Sequence, residues 1–212
     1  MKIHDITHTI RAGMAVWPGD TPFSRRLTAE MREGDAYNAS AITLSLHAGT
    51  HLDAPGHYLP GACTVEKLDL RVLIGPADLV TLPPPAGSGI TAGDLEKALA
   101  GRPRRLLIRA NPPTDLVEFF GDFVPLTQAA AEAIVAAGVE LLGIDSPSVD
   151  PFGSSTLAVH KVLGKRGVII VENLRFGEVP DGRYTFVGLP LKIEAGDGSP
   201  VRAVLIEEDG KS

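Results

Sequence analysis

Residues 38–47, N-A-S-A-I-T-L-S-L-H, alternate apolar and polar side chains with period two. Ile42, Leu44 and Leu46 share one side, and Thr43, Ser45 and His47 share the other. This predicts a strand with a core face and a polar face, His47 standing on the polar one. Further along, short apolar runs alternate with helical segments. Thr64 opens a short helix, T-V-E-K-L-D-L, and a strand follows at 77–82. Thr91 and Asp94 have the spacing of a helix-capping pair, for a helix that ends at Gly101. Residues 105–109 read as an apolar strand. Thr127 caps the alanine-rich T-Q-A-A-A-E-A-I-V-A-A-G, which Gly138 stops. A strand at 139–144 precedes T-L-A-V-H-K-V-L-G, which Ser155 caps and Gly164 ends. Strands at 167–171, 184–189 and 202–207 complete the pattern. The strand-rich N-terminal third looks antiparallel, so the fold class expected is α/β with a mixed sheet, formed as a single domain over residues 1–212.

Composition narrows the class of function. The 212 residues are 44% hydrophobic and 22% charged, enough apolar material for a core. A net charge of -6, with no run of basic residues, argues against a nucleic-acid or anionic-membrane partner. No segment approaches the roughly 20 apolar residues of a membrane helix, and the N-terminus lacks a signal-peptide core. Cys63 is the single cysteine, which excludes an intrachain disulfide and suits a reducing, cytoplasmic compartment. No Cys-His spacing surrounds it, so it reads as a packed or spare thiol. The linker P-P-P-A-G-S-G at 83–89 is the longest low-complexity run. Serine-hydrolase elbows, Walker loops and dinucleotide-binding glycine motifs are all missing.

The chemistry concentrates in H-A-G-T-H-L-D-A-P-G-H, residues 47–57, which holds three of the six histidines. His47 and His51 have zincin spacing, but Ala48 stands where that motif needs a glutamate, and Gly49 and Pro55 disfavour a helix. A strand running into a tight loop fits better, with His47, His51, Asp53 and His57 in common parity. Imidazole and carboxylate donors suit Zn²⁺ or Mn²⁺, and two His with one Asp leave a coordination position open for chemistry. The competing reading is a polar loop whose histidines bond to backbone. A second metal would need further ligands. His160 lies on the last predicted helix between Leu157 and Leu163, where a satisfied core histidine is the plainer reading. Glu172 ends the strand V-I-I-V-E, and Asp145, closing L-L-G-I-D, is a weaker candidate. Trp17, in V-W-P-G-D, reads as a core anchor or as a ring that stacks on a planar substrate. His4 and His8 fall on an edge strand and are assigned no chemistry.

H-A-G-T-H-L-D-A-P-G-H is similar to the H-x-G-T-H-x-D-x-P-x-H signature of the metal-dependent cyclase-like hydrolase family. V-W-P-G-D-T-P-F, G-I-D-S-P-S-V-D-P and L-P-L-K-I-E-A-G-D-G-S-P-V-R-A-V-L resemble its formamidase branch, in order along the chain. The resemblance implies a mixed α/β fold of the swivelling β/β/α type, a homodimer, and two metals, zinc first and Mn²⁺ as the alternative. His47, His51 and Asp53 would hold the first metal. Asp53 would bridge to a second, completed by His160 and Glu172, with Glu172 also reaching the first. His57 would be the general acid/base and Trp17 would line the substrate pocket. The implied reaction is metal-assisted hydrolysis of a small aryl formamide, N-formyl-L-kynurenine, to L-kynurenine and formate. Two alternatives remain: hydrolysis of isatin or another cyclic amide, as in a branch with an amide in place of the carboxylate at 172, and a metal-binding protein without catalysis.

Overall fold

The computed structural model describes residues 1–83, 89–111 and 115–207. The predicted linker, apart from Pro83 and Gly89, lies outside them. Among the described residues the strands are β1 (Lys2–Asp5), β2 (Ser24–Ala29), β3 (Ala39–Thr43), β4 (His51–Asp53), β5 (Ile74–Thr81), β6 (Arg105–Arg109), β7 (Leu141–Ile144), β8 (Ile169–Glu172), β9 (Gly182–Val187), β10 (Gly198–Pro200) and β11 (Val204–Glu207). The helices are α1 (Ala92–Leu99), α2 (Gln128–Ala136) and α3 (Ala158–Gly164). The fold is α/β with a mixed sheet, as expected. Nine strands form it in the order β1-β11-β9-β5-β6-β7-β8-β4-β10, and β2 pairs with β3 in a separate ribbon. Strands β5 to β8 run parallel. The remaining pairings are antiparallel.

Alternation along the central strands builds two cores. Leu106 and Ile108 of β6 pack with Leu95 of α1 and Ile134 of α2. Leu107 turns to the opposite face, where it joins Leu141, Ile169 and Val171. Leu52 from one end of the sheet and Phe186 and Leu205 from the other belong to that second cluster. The sheet therefore curls, and its two ends close over the face that has no helices.

The strong local signals hold. Thr91 and Asp94 form a reciprocal capping box at the start of α1. Thr127 Oγ1 accepts from the Ala130 amide at 3.2 Å, and Gly138 takes the positive φ (+83°) that ends the helical segment.

Three expectations are corrected. The strand over 38–47 stops at Thr43, and Ile42 is 57% exposed. Its alternation is real, but β3 pairs with β2 alone and has no core beneath it, so His47 sits in a turn beyond the strand. The segment after Thr64 makes only a 3-10 turn, Val65–Lys67, and the Thr64 hydroxyl donates to Glu66 Oε1 instead of capping. Ser155 does not cap α3. The N-cap is Leu157, in a left-handed conformation (φ 49°), and no side chain caps from that position. The Asp150 carboxylate takes the first amides instead, from Val159 at 3.1 Å and His160 at 3.0 Å.

Candidate metal centre

Strand β4 lies antiparallel to β8 with His51 opposite Glu172 and Asp53 opposite Ile170. Period two puts His51 and Asp53 on one face, and the register adds Glu172 to it. The site lies at the C-terminal end of β8, the edge where parallel α/β sheets place ligands. The first turn of α3 brings in His160. None of these four residues is more than 3% exposed.

The carboxylate oxygens divide between the histidines. Asp53 Oδ1 lies 2.9 Å from His47 Nδ1 and 3.4 Å from His51 Nε2. Asp53 Oδ2 lies 3.3 Å from His160 Nε2 without making a hydrogen bond, and is left buried with no partner. Glu172 Oε2 faces His51 Nε2 at 3.5 Å, and its Oε1 faces His160 Nε2 at 3.4 Å. Each carboxylate thus spans two places. One is bounded by His47 and His51, the other by His160.

The residues behind the site fix its tautomers. His51 Nδ1 donates to the Gly49 carbonyl at 2.9 Å, which turns Nε2 inward. Gly49 makes this turn at φ +65°. His160 Nδ1 lies 2.6 Å from Asp150 Oδ2, and the Val149 amide donates to Glu172 Oε1 at 2.8 Å. Metal-ligating histidines have such a partner on their second nitrogen. The donor set, the orphaned oxygen and these supports together fit a divalent cation. His47 has Asp53 on one nitrogen and Asp197 Oδ2 at 3.2 Å on the other. Its ring lies over Gly198, where a Cβ would come within 2.7 Å of Cε1.

His57 ends the turn Pro55–His57 and is the more exposed histidine, its ring centroid 4.2 Å from that of His47. Its Nδ1 lies 3.5 Å from Asp197 Oδ2. His47, Asp53 and His57 each offer a ligand atom within 4.8 Å of the others, so geometry alone admits His57 as a ligand as well as a proton carrier.

The electrostatics separate it from the others. Burial disfavours a charged His51, but the Asp53 and Glu172 carboxylates outweigh this and raise its pKa to about 10. Against the same burial, Asp150, Asp53 and Glu172 hold His160 well above the ordinary value. Burial would raise Asp53, yet His160, His47 and His51 keep it well below the usual carboxylate range. His57 is lowered, by burial first and then by His47 and His160. Two buried anions thus hold protons on the candidate ligands, where a cation would replace them, while His57 stays free to accept one.

A cavity of about 330 Å³ opens over these groups and includes Trp17 in its lining, a size suited to a small molecule. Trp17 stacks edge-on against Phe119 and Phe152, at 5.3 and 5.4 Å between ring centroids. All seven sequence-selected residues line this cavity. Asp145 does not join them. It accepts from the Ala110 and Asn111 amides and the Asn111 side chain, and acts as a loop anchor. Cys63 lies outside the cavity lining, with Sγ 3.4 Å from the Thr64 carbonyl. Sequence reasoning missed Asp150, Asp197 and the phenylalanines. The aromatic run E-F-F-G-D-F, the quoted G-I-D-S-P-S-V-D-P, which holds Asp150, and the quoted L-P-L-K-I-E-A-G-D-G-S-P, which holds Asp197, gave the only sign of them.

A buried histidine–carboxylate centre at the strand ends of a curled mixed sheet defines a metal-dependent hydrolase of cyclase type. The chain belongs to the putative cyclase family, whose model matches residues 4–151. It is 38% identical over 202 residues to the kynurenine formamidase of Bacillus thuringiensis (strain Al Hakam), covering 95% of each chain. A solved structure described as a potential metal-dependent hydrolase with cyclase activity superposes with a TM-score of 0.82 at 29% identity, over 99% of both chains. An isatin hydrolase bound to the product analogue thioisatinate shares the fold, with a TM-score of 0.81 at 19% identity over 98% of this chain and 93% of that one.

Proposed function

We propose that residues 1–212 form one catalytic domain that hydrolyses N-formyl-L-kynurenine to L-kynurenine and formate. The observation that carries the reading is the division of Asp53 and Glu172 between His51 and His160, which suits two cations, zinc first and Mn²⁺ as the alternative. The relative's name points to this substrate. Bound cations supply Lewis acidity, polarising a carbonyl and lowering the pKa of a water. His47, His51 and Asp53 would hold one cation, and His160 and Glu172, with Asp53, would hold the other. His57 moves the protons. Asp197 faces its Nδ1, which leaves Nε2 to take a proton from the attacking water and return it to the aniline nitrogen that leaves. Trp17, braced by Phe119 and Phe152, orients the aryl ring.

Turnover of N-formylkynurenine, with metal counted by elemental analysis on the same sample, is the direct test. Isatin serves as the second substrate, since the isatin hydrolase shares the fold, and turnover of isatin alone would replace the formamidase reading. A protein that holds metal and turns over neither would revert to a binding role. In His57→Ala we expect metal content to stay and turnover to fall by roughly 100-fold or more. A lost metal in that variant would make His57 a ligand.

Among the described residues no helix is long and apolar enough to cross a membrane. The single cysteine fits the cytoplasm. A homodimer is supported by the exposed apolar side chains Leu27, Met31, Tyr37 and Ile42 on and around the β2–β3 ribbon.

A further inference from the structure

Trp17 and Asp20 are the two ends of one turn, which offers the cavity an aromatic ring and a carboxylate three residues apart. The Asp20 amide donates to the Trp17 carbonyl at 2.9 Å, and Gly19 supplies the positive φ (+97°) that closes it. Asp20 is held in place rather than swinging in solvent. Its Oδ2 accepts from Ser45 Oγ at 2.8 Å, and the same hydroxyl accepts from the His47 amide at 3.2 Å. The carboxylate is therefore tied to the backbone of a candidate metal ligand. Glu118 lines the same cavity, and none of its described lining residues is Lys or Arg. A carboxylate on a ligand finds no cationic partner there, whereas an ammonium finds Asp20.

We propose that Asp20 is a specificity-determining residue that binds the ammonium of an aryl formamide's side chain while Trp17 takes the ring. The substrate's own carboxylate then points out to solvent. The assignment rests on the formamidase reading and deepens it. Asp20 stays a binding group, and the proton steps remain with His57.

The test uses three aryl formamides on the metal-replete protein: N-formyl-L-kynurenine, N-formylkynuramine, which keeps the ammonium and lacks the carboxylate, and 2′-formamidoacetophenone, which lacks both. Asp20→Asn should lower kcat/KM for the first two by roughly ten- to a hundredfold, mainly through KM. It should leave the third unchanged. Asp20→Glu, which keeps the charge, should restore part of the preference. An equal fall on all three substrates would make Asp20 a structural tether for His47, and no fall on any would remove it from the pocket; either overturns the assignment while the formamidase reading stands. A wild-type protein inert toward all three would remove the formamidase reading and this assignment with it.

Discussion

The floor of the cavity and its rim are built in different ways. On the floor, His51, Asp53 and Glu172 are placed by strand register, and His160 by a helix whose first amides are fixed by Asp150. Their free atoms are set by hydrogen bonds to the backbone or to a second carboxylate. On the rim, Trp17 and Asp20 sit on a turn, and Phe119 and Phe152 come from connecting segments, their rings packed on each other and on Trp17. Groups that must meet a reacting atom within fractions of an ångström are mounted on rigid elements, while groups that recognise the rest of a ligand are carried by loops. Reaction class is thus written in the floor and substrate preference in the rim.

Substitutions should separate the two. The largest effect is expected on the floor. Glu172→Gln removes a charge shared by both places, so the metal beside His160 should be weakened most and activity should fall by about 100-fold or more. Two tightly held metals per chain in that variant, by elemental analysis, would contradict the shared role. Asp150→Ala leaves every candidate ligand in place, yet metal affinity should drop roughly 10–100-fold in a chelator competition. It should also lose about 1 kcal/mol of stability with the helix cap. Unchanged affinity would reduce Asp150 to a cap.

Acidity sharpens the comparison through stability. The folded-state pKa of His51, about 10, lies above the unfolded value near 6.5. Its contribution to the metal-free protein is fully present below pH 6.5 and is lost as pH rises through about 10. On the proposed reading a bound cation would take the place of that proton, and protons compete with it less as pH rises. The gap in Tm between metal-loaded and chelated protein should therefore widen from pH 6.5 to 10. A gap that narrows over this range would show that His51 is no ligand. The smallest effect belongs to the rim. Trp17→Ala should raise KM about tenfold while metal content stays whole. Loss of metal there would show that floor and rim are one unit.

Legibility in the sequence follows the same division. The floor's first half was readable because its residues lie within seven positions and share parity. Strand β6 and the cap of α2 were readable because their signals are local. His160 and Glu172 were candidates by residue type, but an ordinary core or strand-end reading stood beside each until the family resemblance favoured them, since the β4–β8 register that unites Glu172 with Asp53 joins residues more than a hundred apart and His160 arrives from α3. The strand over 38–47 was misread at its core face because period two reports alternation and says nothing about what lies underneath. Ser155 was read as the cap and Asp150 went unseen, because capping patterns look a few residues ahead, whereas Asp150 reaches nine and ten residues forward. Asp197 lies 150 residues from His47, and no local motif connects them.

Asp150 has one more consequence. A single carboxylate both starts α3 and steadies the ring of His160. Ordering of that helical turn and capture of an ion are then two views of one equilibrium. If His160 holds an ion as proposed, loading should tighten the amides of Val159 and His160 and slow their hydrogen exchange. Ordering of the start of α3 would then be thermodynamically linked to occupancy of the proposed site.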